Sequence, residues 1–414
     1  MTTSALRVGS RWGRYLAIFG PGLIVMFADT DAGSIITAAQ SGAQWGYRLL
    51  LLQVVLIPVL FMVQELTVRL GVVTGKGHGD LIKQHFGTGW AWLSVGTLML
   101  ACVGALLSEM GGLAGVGLMV GIPTWATMIV VVLGLSIMAY TGSYTSVERI
   151  ALMLGAFELV FVLVAWNAKP DLAAAGAAML QQPLSDPGYL FLLAANIGAV
   201  IMPWMVFYQQ SAVVEKGIAL QDMPVARWDT LLGAFATQLI MAAVLIVTAA
   251  TIGRSGGNAS LDTVQQIADA ITPFLGERVG RLLFGVGMVG AALVAAIVVT
   301  LTAARALGEV MGYRHSLEHT PREAPWFYGV YTLVLVLAGV AVASGANLVA
   351  LGVGVQVMNA LLLPIVLGFL YLLARRLPEP YRLKGAYSAV VGLVIFVTVS
   401  LGVYAGLAGI SALH

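Results

Sequence analysis

The sequence predicts an all-α polytopic membrane protein of eleven spans, in which spans one to five and six to ten form two inverted repeats. Three observations carry this. Of 414 residues, 59% are hydrophobic and only 10% charged, more apolar surface than a soluble chain of this length could hide. Long apolar runs recur between short polar or Gly/Pro-rich joints. The first and sixth of these runs are interrupted at corresponding places, the pattern left when two half-helices meet near the bilayer midplane.

Taken in order, the spans fall at roughly 16–42, 47–73, 90–120, 123–141, 147–166, 188–213, 230–253, 280–309, 325–343, 346–374 and 385–410. Repeat one covers about 15–167, repeat two about 188–375, and the eleventh span is an addition. None of the joints is long enough for a soluble domain, so the chain is one transmembrane unit. The first apolar run lacks a small-residue cleavage site after it and is expected to be a retained helix, not a signal peptide.

Basic residues set the expected orientation. With the N-terminus in the cytoplasm, eleven spans place sixteen of the twenty-one Lys and Arg residues inside, among them Arg7, Arg11, Arg14, Arg69, Arg227 and Arg376, and five outside: Arg48, Lys169, Arg254, Arg278 and Arg281. The C-terminus, Ala412-Leu413-His414, then lies outside. The expected location is the inner (plasma) membrane.

The first interruption is the stretch 20–34, GPGLIVMFADTDAGS. A membrane-grade helix runs into Asp29 and Asp31, then Ala32-Gly33-Ser34, and apolar character resumes. A carboxylate at mid-membrane costs a few kcal/mol and persists only beside water, a cation or a partner. Gly33 lets the helix unwind, which turns backbone carbonyls inward. The second interruption is 195–210, ANIGAVIMPWMVFYQQ, where Pro203 removes an amide donor and Gly198 loosens the turn before it. Carboxylates beside an unwound segment make a hard-cation site in prospect.

The composition also excludes. One cysteine, Cys102, allows neither an intrachain disulfide nor a cysteine-rich metal site. A net charge of +2 gives no reason to expect nucleic acid. No HExxH or Walker motif is present. Gly77-His78-Gly79-Asp80 matches the GxGD pattern of intramembrane aspartyl proteases, but Asp80 falls in a polar joint, so an intramembrane enzyme is only the remote alternative.

At the two breaks the sequence resembles the Nramp family of divalent metal transporters, which carries DPGN in its first helix and MPH in its sixth. Here these are Asp31-Ala32-Gly33-Ser34 and Met202-Pro203-Trp204. Gly20-Pro21-Gly22, Gly42-Ala43-Gln44-Trp45-Gly46-Tyr47 and Arg69-Leu70-Gly71-Val72-Val73-Thr74-Gly75-Lys76 agree as well. The resemblance implies a LeuT-type fold and metal import by alternating access, with Asp31, Ser34, the Ala199 carbonyl and Met202 as metal ligands. The departures are Trp204 for the family histidine, Leu106 for one of two third-helix acids (Glu109 is the other), Leu362 for a tenth-helix glutamine, and the extra acid Asp29. They are similar to the Nramp-related branch that carries magnesium, and they remove parts of a proton relay.

The expected substrate is therefore a divalent cation, Mg²⁺ ahead of Mn²⁺, moved without protons; a proton-coupled Mn²⁺/Fe²⁺ carrier is the alternative. Met202 offers a soft sulfur of no use to Mg²⁺, whereas Asp31, Ser34, Ala199 and Asn359 offer hard oxygens. Asp29, Trp204, Gln209, Gln356 and Asn359 are candidates for an outer shell, with Gln210 nearby. Glu109 stands either in the cation path or in a hydrogen bond to a neighbouring helix. Glu65 with Arg69, and Arg305 with Glu309, share helix faces at four-residue spacing and read as structural pairs. Glu158 reads as structural, His78 and His85 as solvated, and Gly111 with Gly115 as helix packing. No cofactor is expected beyond the transported ion; the partners are that ion and the bilayer, and the chain is expected to be a monomer.

Overall fold

The structure, a computed structural model, describes residues 20–142, 144–252, 260–271, 276–345 and 347–411, without the side chains of 144, 145 and 277. Arg7, Arg11, Arg14, Arg254 and the C-terminal Ala412-Leu413-His414 lie outside them.

The first span is two helices, Pro21–Asp29 and Ala32–Trp45, bent by 50° at Thr30-Asp31. The following spans are Leu50–Thr74, Thr88–Met119 and Thr124–Thr141. The fifth is Tyr144–Gly155 continued through a tight 3₁₀ turn, Ala156–Leu159, into Val160–Asn167. The sixth is Pro187–Val200 and Pro203–Glu215, separated by Ile201 and Met202 in extended conformations. Spans seven to eleven are Met223–Thr251, Glu277–Met311, Pro325–Ala343, Leu348–Ala374 and Gly385–Ser411. Pro203 takes the first position of its half-helix, where its missing amide costs nothing. Short helices, His78–Phe86, Leu172–Met179 and Val264–Ile271, fill three of the joints.

The first and sixth spans occupy the centre. The first half-helices pack on the seventh span, the sixth span packs on the tenth, eleventh and second, and the third span lies against the eighth and tenth. Trp90, Trp228 and Trp326 project outward near the end of the bundle that carries Arg69 and Arg227, and Trp125 and Trp166 near the other. Two exposed tryptophan levels, with Leu100, Leu163 and Phe396 exposed between span ends, are the surface a bilayer covers. We call these the basic end and the opposite end.

Two glycines let the tenth span close on both breaks. A Cβ on Gly33 would lie 2.5 Å from Gln356 Nε2 and 2.6 Å from Ser108 Oγ. A Cβ on Gly198 would strike the Gln356 carbonyl and lie 2.7 Å from the Ala360 amide nitrogen. Asn196 fastens the first half-helix of the sixth span, accepting from Gln53 Nε2 at 2.6 Å and donating to Ser41 Oγ at 2.7 Å.

Candidate functional site

Asp31 begins the second half of the first span. Its backbone is extended, and its Oδ1 accepts from the Ser34 amide at 2.6 Å, satisfying a donor that a helix start leaves open. The same carboxylate accepts from Gln356 Nε2, at 3.2 Å to Oδ1 and 3.5 Å to Oδ2. Ser34 Oγ donates to the Ala199 carbonyl at 3.1 Å, so the two breaks touch through the residues the motifs select. That carbonyl lies in the last turn before the sixth-span break, where the helix no longer requires it. Asn359 Nδ2 donates to Gln356 Oε1 at 2.9 Å, and its Oδ1 is buried without a hydrogen-bond partner. Asp31, Ser34, Met202, Gln356 and Asn359 are all sealed from solvent.

Carboxylate, hydroxyl, carbonyl and amide oxygens thus gather at one point, the donor set of a hard cation. The Met202 sulfur, the soft ligand that the resemblance selects, accepts a hydrogen bond: Trp204 Nε1 donates to Met202 Sδ at 3.2 Å, and the indole is wholly buried. Gln356, six residues before Leu362, brings a tenth-span amide to Asp31.

Glu109 Oε2 accepts from the Ala32 amide at 3.0 Å, so the bond to a neighbouring helix is realised; its Oε1 is buried and unbonded. Asp29 turns away from Gln356 and accepts from Thr237 Oγ1 at 3.3 Å. Gln209 does not join the cluster: its Oε1 accepts from Thr67 at 3.2 Å and its Nε2 donates to Thr230 at 2.8 Å. Ser108 was missed by the sequence reading. Its buried Oγ lies beside Gly33 without a partner, and the only sequence cue is its position one residue before Glu109.

The two ends differ. Toward the opposite end a cavity of about 790 Å³, lined by Gln40, Gln44, Phe191, Leu192, Asn347 and Val353, descends to within a helical turn of Gln356. The basic end is crossed by ion pairs and holds a smaller cavity, about 360 Å³, beside Lys76, Glu215 and Glu309. Arg69 Nη2 reaches Glu65 Oε2 at 2.8 Å, as its spacing predicts, and Arg227 Nη2 meets Glu65 Oε1 at 2.7 Å. Lys216 pairs with Glu148. The Arg305–Glu309 pair does not form: Arg305 pairs with Glu215 of the sixth span, while Glu309 accepts from the Gly79 amide at 2.8 Å and Ser211 Oγ at 3.0 Å. A contact between elements has displaced one within a helix.

His78 is a second correction. Instead of a solvated loop residue, it begins the short helix His78–Phe86 and is wholly buried. Its Nδ1 lies 2.9 Å from Gln210 Oε1, and its ring packs edge-on against Phe207, centroids 4.8 Å apart. Burial holds this imidazole down at about 4, against its usual 6.5. His85 is exposed.

Residues 22–408 match the sequence profile of the Nramp family, described as natural resistance-associated macrophage protein-like. The chain belongs to the Nramp family. It is 28% identical over 316 residues to "Divalent metal cation transporter MntH" of Deinococcus radiodurans, covering 72% of this chain and 70% of that one. It is 28% identical over 299 residues to "Divalent metal cation transporter MntH 1" of Pseudomonas aeruginosa, covering 67% and 66%. The Eremococcus coleocola manganese transporter superposes with a TM-score of 0.78 at 18% identity, over 98% of this chain and 90% of that one. MhsT in complex with L-phenylalanine superposes with a TM-score of 0.65 at 14% identity, over 97% and 99%. At such identities these likenesses establish the fold, which is LeuT-type. Nramp proteins are transporters, and the enzyme alternative falls with this assignment.

Proposed function

We propose that this chain, a divalent metal cation transporter of the Nramp type, carries Mg²⁺ by alternating access and does so without moving protons. The observation that supports Mg²⁺ is the Trp204–Met202 hydrogen bond. It engages the one soft donor at the site and leaves oxygens, which suit a cation that keeps part of its water shell. Asp31 and the Ala199 carbonyl would bind the ion or its waters; Ser34, Gln356 and Asn359 would orient those waters. The proton-free reading is supported by Trp204, which cannot carry a proton, in place of the family histidine, and by Leu106 beside a lone Glu109.

A Mn²⁺ carrier is the second reading. The structural likeness to the Eremococcus coleocola manganese transporter favours it, as does the position of Met202 at the break. By the basic-residue bias the basic end faces the cytoplasm, so the cavity at the opposite end would open to the outside of a plasma membrane. Uptake of Mg²⁺ and Mn²⁺ into the same proteoliposomes tests the proposal: saturable Mg²⁺ influx is expected, and influx of Mn²⁺ alone would replace the first reading by the second.

A further inference from the structure

The first-span break has two sides, and only one is used by the site above. Asp31 faces the sixth and tenth spans. Thr30 and Asp29 face the seventh and fifth. Thr30 Oγ1 lies 2.7 Å from Thr237 Oγ1, which also donates to Asp29 Oδ2. Asp29 Oδ1 has no partner, although the residue is buried. Across from it, in the tight turn of the fifth span, Glu158 is wholly buried, its carboxylate oxygens meeting no donor among the described residues other than the Thr30 hydroxyl. Its carboxylate faces the Thr30 hydroxyl and stands in the field of both aspartates. The fifth span is pressed onto the first here: a Cβ on Gly155 would lie 2.6 Å from the Phe27 ring.

Charge balance sharpens the point. Asp29, Asp31, Glu109 and Glu158 all interact around one break. Among the described residues, no Lys, Arg or His is bonded to any of them, and the buried Arg69 and Arg305 sit at the basic end. Buried carboxylates without a counter-charge are strongly unfavourable.

We propose that Asp29, Thr30 and Glu158 form a second cation site, separate from the Asp31 site, that takes a hard, oxygen-preferring cation. Every available donor is oxygen: Asp29 Oδ1, both Glu158 oxygens and the Thr30 hydroxyl. Such a set disfavours soft metals and suits Na⁺ or a second Mg²⁺. The inference rests on the reading of Asp31 as the substrate site.

The test is ion stoichiometry on the purified full chain in lipid nanodiscs, by equilibrium dialysis with Mg²⁺ alone, then with Na⁺ added at saturating Mg²⁺. Wild type is expected to bind two ions per chain. Two Mg²⁺ without Na⁺ identify a divalent occupant; one Mg²⁺ with one Na⁺ identifies the alkali ion. Glu158→Gln is expected to lose one ion and keep the one removed by Asp31→Ala, while Asp31→Ala keeps the ion that Glu158→Gln loses. Asp29→Asn, which still accepts from Thr237, is expected to lose the same ion as Glu158→Gln and serves if the latter does not fold. A wild-type stoichiometry that Glu158→Gln and Asp29→Asn both retain, whether one ion or two, overturns the second site. Loss of Mg²⁺ from the Asp31 site alone would refute the Mg²⁺ reading and leave the second site standing.

Discussion

Asp31 is a buried carboxylate that accepts from the Ser34 amide and the Gln356 side chain and lies against the Glu109 carboxyl, with no Lys, Arg or His bonded to it among the described residues. Replacing it with alanine removes a charged ligand and also a desolvation cost, so Asp31→Ala is expected to fold normally and to lose Mg²⁺ affinity by more than about tenfold, roughly 1.4 kcal/mol. Calorimetry on the purified variant measures this, and an unchanged affinity removes Asp31 from the site. Met202 is the complementary case. With Mg²⁺ as substrate, Met202→Ala is expected to leave uptake within about twofold, because sulfur does not ligate a hard ion. Trp204→Phe, which frees the sulfur, is expected to strengthen Cd²⁺ binding. A large loss of Mg²⁺ uptake in Met202→Ala counts against the assignment. Asp31, Ser34, Ala199 and Met202 were legible because polar or helix-breaking residues stand out in apolar runs. Gln356 was legible only as a nearby amide, since its approach to Asp31 depends on Gly33 and Gly198, whose contacts lie more than a hundred residues away in sequence. Gln209 was misplaced because its partners, Thr67 and Thr230, lie on other spans.

Between elements, packing decides what local pattern leaves open. All eleven spans were legible from hydropathy and joints, with ends within a few residues except at the seventh, which starts at Met223 rather than near 230. The joints were harder. His78 sits among glycines and lysines and reads as surface, yet the helix it begins tucks under Phe207 and Gln210. A neutral buried imidazole makes a stability prediction. The unfolded chain takes up a proton below about 6.5 and the folded chain only below about 4, so stability is fully present above 6.5 and is lost as pH falls toward 4. The thermal midpoint of wild type is expected to drop across that window by more than that of His78→Gln; parallel curves would show that the ring is not the responsible group. The close approach of the sixth and tenth spans yields another comparison. Gly198→Ala drives a methyl into backbone and is expected to cost at least about 1–3 kcal/mol, whereas Gly354→Ala, facing open space, is expected to be tolerated. Equal melting temperatures for the two variants would mean that the tenth span does not seat on Gly198.

At the scale of the whole molecule, one end is crossed by ion pairs between spans and the other is entered by a cavity that approaches the site. The cavity beside Gln40 and Asn347 stops a turn from the site, while Glu65 with Arg227, Glu148 with Lys216, and Glu215 with Arg305 join different spans at the basic end. Transport requires those pairs to part while the cavity closes, and the energy for net movement has to come from outside the protein. For a divalent ion the membrane potential alone supplies about 4.6 kcal/mol per 100 mV, accumulation on the order of a thousandfold, with no proton needed. The residues agree with such a drive. Glu109 is held by the Ala32 amide, His78 is neutral and packed edge-on against Phe207, and Trp204 fills the place of a titratable ring. Proteoliposomes loaded with a pH-sensitive dye, with the potential clamped by valinomycin, are therefore expected to take up Mg²⁺ at a rate that rises with inside-negative potential while the lumenal pH stays constant. Lumenal acidification that tracks Mg²⁺ concentration and disappears in Glu109→Gln would instead establish a relay through Glu109, and would assign that carboxylate to proton transfer rather than to holding the first span.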